Sequence, residues 1–437
     1  MSGASKAFAL LVLLTAVGSE AQVAVAPVMG LGSAATNPPA PNTLLLGSGT
    51  AVSYDSNALN SQPPTPNVQY TFFPQIGLNL ARPKWDALIS FVPGFSYSSA
   101  NLSQYQAVSL TSSIAVQYRP SQRLSLNFLN SLVSSTNPFD SLTASSQPGQ
   151  GGAATSTGGA LNYLPRTNEA ASVDAAYNLS ARTSLTALAA YNYISYQHDS
   201  NIPSAAQPFQ QSNSAEVSLG LRRSSSPRYQ SNVLYTAQLF DSGQGVIKTV
   251  GQSIQYAVQY SPKATLRISA TVGPEYVQNS YAGVVGTGGG ANLVNQHAAG
   301  WSWTGNAAMT WTSGENQFST SASRQLSLGT QYQGNVVATS LNAGFRRHLP
   351  GRTDLTIFGG YSINKPVSLA QSIPRLSNNY LSTGAAFSKT IGSCWVVGVG
   401  YWYLLQNSSQ SVGNLYSGDH NRVAISLSYS IAKPLRR

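Results

Sequence analysis

A single cysteine, Cys394, stands in a chain of 437 residues, which excludes an intrachain disulfide and any metal site built from paired thiolates. Charge is scarce as well: only 8% of residues are charged, against about 25% in an ordinary soluble domain. Acid is scarcer than base, with 13 acidic residues to 24 basic ones and a net charge of +11. The basic residues form no runs, so the excess does not make a nucleic-acid patch, and nucleic acid is not an expected partner. The histidines, His198, His297, His348 and His420, are far apart in sequence and offer no metal spacing. Three fall in or beside expected loops and one beside an expected short turn. In a chain this rich in serine, a Ser/His/Asp combination carries almost no information, so no enzyme, catalytic residue or cofactor is expected. Long apolar runs are missing too. The one run, Ala7 to Val17, is too short for a permanent helical span of about 20 residues. A helical membrane protein is thereby excluded, whereas a β-barrel is not.

What the chain does contain begins with that short run. Lys6 precedes it, and Ser19 and Ala21 follow it as small residues, which reads as a secretory signal over 1–21 cleaved after Ala21. Residues 22–42, rich in Ala, Pro and Gly and without periodicity, read as a periplasmic tail. The remainder, 43–437, alternates apolar and polar residues with the period of a strand. The final segment, Asn421 to Ile431, shows it plainly: Val423, Ile425, Leu427, Tyr429 and Ile431 share one face, opposite Arg422, Ala424, Ser426, Ser428 and Ser430. The same pattern recurs in Val68 to Arg82 and Asp86 to Ser98.

Short turns are expected near residues 83, 120, 182, 225, 262, 314, 350 and 392, each alternating with a longer Ser/Gly/Asn-rich connection. This alternation predicts an all-β, antiparallel up-and-down transmembrane barrel with its short turns in the periplasm. Two strands for each of eight turns, plus the first and last, give 8 × 2 + 2, or about 18 strands. The count becomes 16 if the weak segments Leu44 to Ser56 and Asn316 to Leu328 fail. The longest connections are expected at Thr136 to Leu164 and Ser280 to Gln296. Within the second, the glycine-rich Tyr281 to Asn295 is expected to fold over or into the lumen as a lid. Pro74, Pro93 and Pro274 fall inside proposed strands, where bulges or strand ends must absorb them.

Parity then sorts the side chains. Arg119, Arg123, Arg182, Arg222, Arg228, Arg267, Arg346, Arg352 and Arg422 fall on the lumenal face, against the acids Asp86, Asp174, Glu216, Glu275 and Asp354. Most of these arginines lie near a short turn, so they read either as headgroup anchors and local ion pairs or as a cationic constriction that selects anions. Trp301, Trp303, Trp311, Trp395, Tyr401 and Tyr403 fall on the lipid face as an aromatic girdle. Phe358, Tyr380 and Trp402 fall inward, either filling the lumen or offering faces to sugar rings.

The export signal, the hairpin spacing and the final strand RVAISLSYSI together resemble Gram-negative outer-membrane porin-like barrels. The resemblance implies an outer-membrane location, outer-membrane lipid around the wall, and the barrel-assembly machinery as a partner. The chain departs from that pattern by adding AKPLRR after Ile431, where such barrels usually end on an aromatic residue. It also resembles exopolysaccharide-export barrels of the alginate-export type. That likeness implies a conduit for an anionic polysaccharide, or for anionic solutes, together with periplasmic export components. The other reading of the residues is a non-conducting structural or surface-binding barrel whose lumen is plugged.

Overall fold

The computed structural model describes residues 42–57, 64–99, 108–135, 166–196, 211–242, 247–286, 291–327, 336–367, 377–408 and 418–435, with backbone only for 281–296 and 366. The export signal 1–21, most of the tail 22–42 and the connection Thr136 to Leu164 lie outside them. The described residues form one antiparallel sheet of 18 strands. In chain order these are β1 (Thr43–Asp55), β2 (Asn67–Ala81), β3 (Trp85–Ser98), β4 (Val108–Tyr118), β5 (Leu124–Ser135), β6 (Arg166–Asn178), β7 (Thr183–Tyr196), β8 (Ser212–Ser226) and β9 (Tyr229–Ser242). They continue with β10 (Ile247–Lys263), β11 (Leu266–Gly286), β12 (Ala291–Ser313), β13 (Asn316–Ser327), β14 (Val336–Leu349), β15 (Thr353–Pro366), β16 (Asn378–Ile391), β17 (Trp395–Ser408) and β18 (Gly418–Pro434).

Each strand pairs with its neighbour in sequence, and β1 pairs with β18 from Thr43↔Pro434 to Asp55↔Arg422. That last ladder closes the sheet on itself and removes its edges. The eight expected short turns all appear; the longest of them spans 119–123. Both weak segments are strands, β1 and β13, so the higher count holds. The terminal AKPLRR does not hang free of the wall, because Ala432, Lys433 and Pro434 continue β18 opposite Leu45, Leu44 and Thr43.

Directly opposed residues of an antiparallel pair point to the same side, so register carries one face around the whole barrel. The outward face is apolar and exposed: Phe72, Ile76, Phe91, Leu219, Ile254, Leu341 and Ile425 all belong to it. A predominantly apolar exterior of this extent belongs in lipid. Trp301, the most exposed large apolar side chain at 76%, packs its ring 5.2 Å from that of Tyr276 near the long-loop end. Trp395 packs 4.8 Å from Tyr429 at the short-turn end. The aromatic girdle residues Trp301, Trp303, Trp311, Trp395 and Tyr401 are all exposed on this outer face.

Two expectations are corrected. Ser280 to Gln296 is not a loop: β11 and β12 stay paired from Tyr281↔Gln296 to Gly286↔Ala291, leaving only 287–290 between them. Val284, Val285, Leu293 and Val294 carry strand propensity through the glycines, and the two strands satisfy each other's backbone groups. The described parts of Tyr281 to Asn295 are therefore paired strand rather than loop. His297 accordingly stands in β12 rather than in a loop.

Nor are the prolines absorbed by bulges or strand ends. The β2–β3 ladder runs to Phe72↔Phe95, resumes at Ile76↔Phe91, and skips the residues where Pro74 and Pro93 face one another. Each lacks an N–H, so placing them opposite confines two missing donors to one pair of positions. Likewise the β10–β11 ladder skips Gly273 and Pro274, where a Cβ on Gly273 would sit 2.0 Å from the carbonyl oxygen of Ile254. Replacing Pro74 and Pro93 together by Val should restore two ladder bonds. Folding in detergent should then be stabilised by about 1 kcal/mol per bond, read as a raised urea midpoint. The single substitutions should each give about half the gain.

Candidate functional site

The inner face changes character along its length. In the half nearer the long connections its side chains are buried, and in the half nearer the short turns they are mostly part-exposed. Two apolar clusters account for much of the first half. One joins Ala51, Phe73, Val92, Tyr380, Trp402, Leu404 and Ala424, with Phe358 packed against it. Trp402 is 3% exposed and Leu404 fully buried. The other joins Ile194, Phe240, Val277 and Leu326.

Glycine makes the first cluster attainable. A Cβ on Gly49 would lie 2.3 Å from Cζ of Phe73, and one on Gly400 would lie 2.2 Å from the ring of Trp402. Both rings therefore lie flat along the wall over a residue that has no side chain. Phe358 covers Gly384 in the same way. The inward aromatics of the sequence, Phe358, Tyr380 and Trp402, are thus brought together as packed lumenal filling. Sequence reasoning missed Phe73, Val92 and Leu404. The available signal was an apolar residue on the polar parity, which in TFFPQ is masked by the adjacent Phe72.

Polar groups surround this cluster. His420 and Asp55 approach to 3.6 Å, His420 being fully buried, and Arg422 donates from Nη2 to Ser53 Oγ at 3.2 Å. Asn378 donates from Nδ2 to Tyr380 Oη at 3.3 Å. Arg422 therefore stands at the long-loop end, the opposite end from the other eight arginines. His198 lies outside the described residues.

At the short-turn end the arginines divide. Arg119 pairs with Asp86 at 3.5 Å, and Arg346 pairs with Asp354 at 3.3 Å. His348 also contacts Asp354 through Nδ1. Further up the wall Arg222 interacts electrostatically with Asp174. Arg352 has φ 58° in its turn and donates from Nη1 to the carbonyl oxygen of Gly392 at 2.7 Å, so it ties two neighbouring turns at the rim. Arg123, Arg182, Arg228 and Arg267 make no ion pair among the described residues. The first three are exposed and Arg267 part-exposed. Glu216, by contrast, is held by the donors Gln238 Nε2 at 3.0 Å and Ser218 Oγ at 3.2 Å. The mouth keeps more free positive charge than negative.

Gly49→Ala should cost about 1–3 kcal/mol of folding stability in detergent, because the Phe73 ring must leave its place. Phe73→Leu in the same chain should recover most of that loss, giving strong coupling in a double-mutant cycle.

No protein-family model and no curated protein matches the sequence. Among solved structures the chain is similar in outline to the outer membrane protein OpdK of Pseudomonas aeruginosa, at 11% identity over 89% of this chain and 99% of that one, with a TM-score of 0.42. Acinetobacter baumannii OccAB2 matches at 11% identity over 91% and 100%, with a TM-score of 0.43. Pseudomonas aeruginosa OccK2 (OpdF), solved in complex with glucuronate, matches at 12% identity over 89% and 98%, also at 0.43. TM-scores of this size decide nothing about descent or cargo, and the closed barrel stands on the chain's own 18 strands and the β1–β18 ladder.

Proposed function

We propose that the chain is an outer-membrane channel of a Gram-negative bacterium that admits small anionic solutes from or to the periplasm. One observation carries the reading: a closed barrel with an apolar exterior has a short-turn mouth where Arg123, Arg182, Arg228 and Arg267 have no acidic partner among the described residues. Charge facing water inside a barrel costs little, and a low-dielectric wall focuses its field on whatever enters. The export signal read in the sequence supports the location.

Small solutes are favoured over an exported anionic polysaccharide. A polymer needs a continuous bore, whereas apolar clusters occupy the inner wall of the long-loop half. The same packing is the observation that favours a non-conducting barrel as the second reading.

Reversal potential across a planar bilayer under a salt gradient tests the proposal. The wild type should prefer anions, and changing Arg123, Arg182, Arg228 and Arg267 together to Gln should abolish most of the preference. High salt should weaken it too, since the screening length is about 10 Å at 0.1 M and 3 Å at 1 M. Cation preference in the wild type would overturn the anion reading, and a barrel that carries no current would leave the plugged one.

Orientation has its own test in a Cys394→Ser background. An impermeant maleimide should label Pro66→Cys on intact cells, and should reach Pro83→Cys or Ser313→Cys only after permeabilisation. The opposite pattern would invert the barrel.

A further inference from the structure

The outward face changes in charge from one end of the barrel to the other. Five strands that run down to the short-turn rim carry a basic side chain at the foot of that face: Arg223 of β8, Lys263 of β10, Arg347 of β14, Lys389 of β16 and Lys433 of β18. Register places them outside. Arg347 faces Leu355 on β15, Lys389 faces Thr353 two residues away on the same strand, Lys433 faces Leu44, and Lys263 faces Leu266 past the bulge of β10. Arg223 continues the parity of the exposed Leu219 and Leu221. All five are exposed, and none makes an ion pair among the described residues. None belongs to the nine arginines read onto the lumenal parity, so the channel reading makes no use of them.

Acid is missing from the same place. At the short-turn end Asp86 and Asp354 point inward with Arg119 and Arg346, and Glu315 lies in the turn between β12 and β13. No described acid stands at the outward foot of a strand there. The long-loop end differs: on its outward parity Glu169, Asp241 and Asp419 accompany Lys248 and Lys365, with Asp241 directly opposite Lys248. The positive sign therefore belongs to one rim rather than to the whole exterior.

Aromatic rings share that rim. Trp395, opposite Ile391, packs on Tyr429 in the arc that holds Lys389 and Lys433. In the arc of Arg223 and Lys263 the hydroxyls of Tyr229 and Tyr256 approach to 3.3 Å. On β4, β6 and β12 the outward face ends on the exposed Tyr118, Tyr177 and Trp311 instead. Amphipathic rings sit at the headgroup level of a bilayer, which sets the depth of the basic side chains beside them. Their stems can lie along the apolar wall while the charged heads reach the phosphates. Arg347 and Lys389 stand two strands apart, about 10 Å, a gap that two long side chains can close onto one headgroup.

We propose that the short-turn rim binds the anionic glycerophospholipid of the periplasmic leaflet, of the phosphatidylglycerol type, in preference to a zwitterionic one. A zwitterionic headgroup brings its own cation against these side chains, whereas phosphatidylglycerol offers a phosphate without one. Each basic side chain near an anionic surface favours it by a factor of about five. Only the orientation, short turns towards the periplasm, is taken from the reading above; conduction plays no part.

The test counts lipid. The barrel is refolded in vesicles of equal phosphatidylglycerol and phosphatidylcholine, extracted in mild detergent, and its retained lipids are measured by mass spectrometry. Phosphatidylglycerol should be retained about fivefold over phosphatidylcholine at low salt, and the ratio should fall towards one at 1 M salt, where the screening length is about 3 Å. The same fall is expected when Arg223, Lys263, Arg347, Lys389 and Lys433 are changed together to Gln. Lys248→Gln with Lys365→Gln should leave the ratio unchanged. Should the five-residue variant fail to assemble, Arg347→Gln/Lys389→Gln/Lys433→Gln alone should remove about half of the preference. Equal retention of the two lipids by the wild type, or a preference that survives in the assembled Gln variants, would overturn the rim as a binding surface. A preference lost in the Lys248/Lys365 variant would move it to the long-loop end and overturn it as well. The maleimide labelling above decides the leaflet separately, and none of these outcomes bears on whether the barrel conducts.

Discussion

Hydrocarbon offers no partner to a backbone N–H or C=O, and each unpaired group there costs several kcal/mol. A sheet can meet that demand along its whole perimeter only by closing, so the β1–β18 ladder is the constraint on which the rest depends. It joins β1, glycine-rich and weak as a sequence, to the plainly alternating β18 over Thr43↔Pro434 to Asp55↔Arg422. Neither strand needs strong propensity of its own, because each is flanked on both sides. β1 also pairs with β2 from Thr43↔Asn79 to Asp55↔Asn67. Closure in turn sets every inward and outward direction, since register passes one parity from ladder to ladder.

The places where this demand is relaxed are few and chemically marked. Pro74 and Pro93 have no N–H to leave unpaired, and they are set opposite one another. Gly273 and Pro274 combine a missing donor with a missing side chain, letting the backbone of β10 come close. The third place, above Gly305↔Arg324, has no such excuse. Its residues are ordinary donors and acceptors, and Thr304 offers a hydroxyl where a backbone group would serve.

Much of the architecture was legible because its signals are local. Turn chemistry at RPSQR, SGEN and LPGR and alternation over a dozen residues mark hairpins without reference to the rest of the chain. The lumen was far less legible. Parity says that Phe73, Val92 and Leu404 point inward, but only the barrel's cross-section decides that these three, from strands β2, β3 and β17, meet each other. The hairpin tip of β11 and β12 was misread for a related reason. Five glycines in Tyr281 to Asn295 weaken the stretch read as sequence alone, whereas pairing from Tyr281↔Gln296 to Gly286↔Ala291 is a property of the two strands together.

The arginines show the same limit from another side. The sequence reads all nine onto the lumenal parity and ranks none of them, whereas in the structure Arg119, Arg123, Arg182, Arg228 and Arg352 stand in short turns. Three-dimensional position ranks them, through the company each keeps. Asp86 and Asp354 hold Arg119 and Arg346, and the Gly392 carbonyl holds Arg352. Ser53, far away in sequence, contacts the buried Arg422. An ion pair at the surface of a water-filled mouth contributes only about 0–1 kcal/mol to stability, so pairing there acts chiefly on the field and little on the fold. It cancels a positive charge as seen from a few ångströms away. Of the nine, Arg123, Arg182, Arg228 and Arg267 make no ion pair among the described residues, and they stand in or beside the short turns. Unpaired positive charge and apolar packing thus fall at opposite ends of the barrel, the arginines by the short turns and the two clusters in the half nearer the long connections.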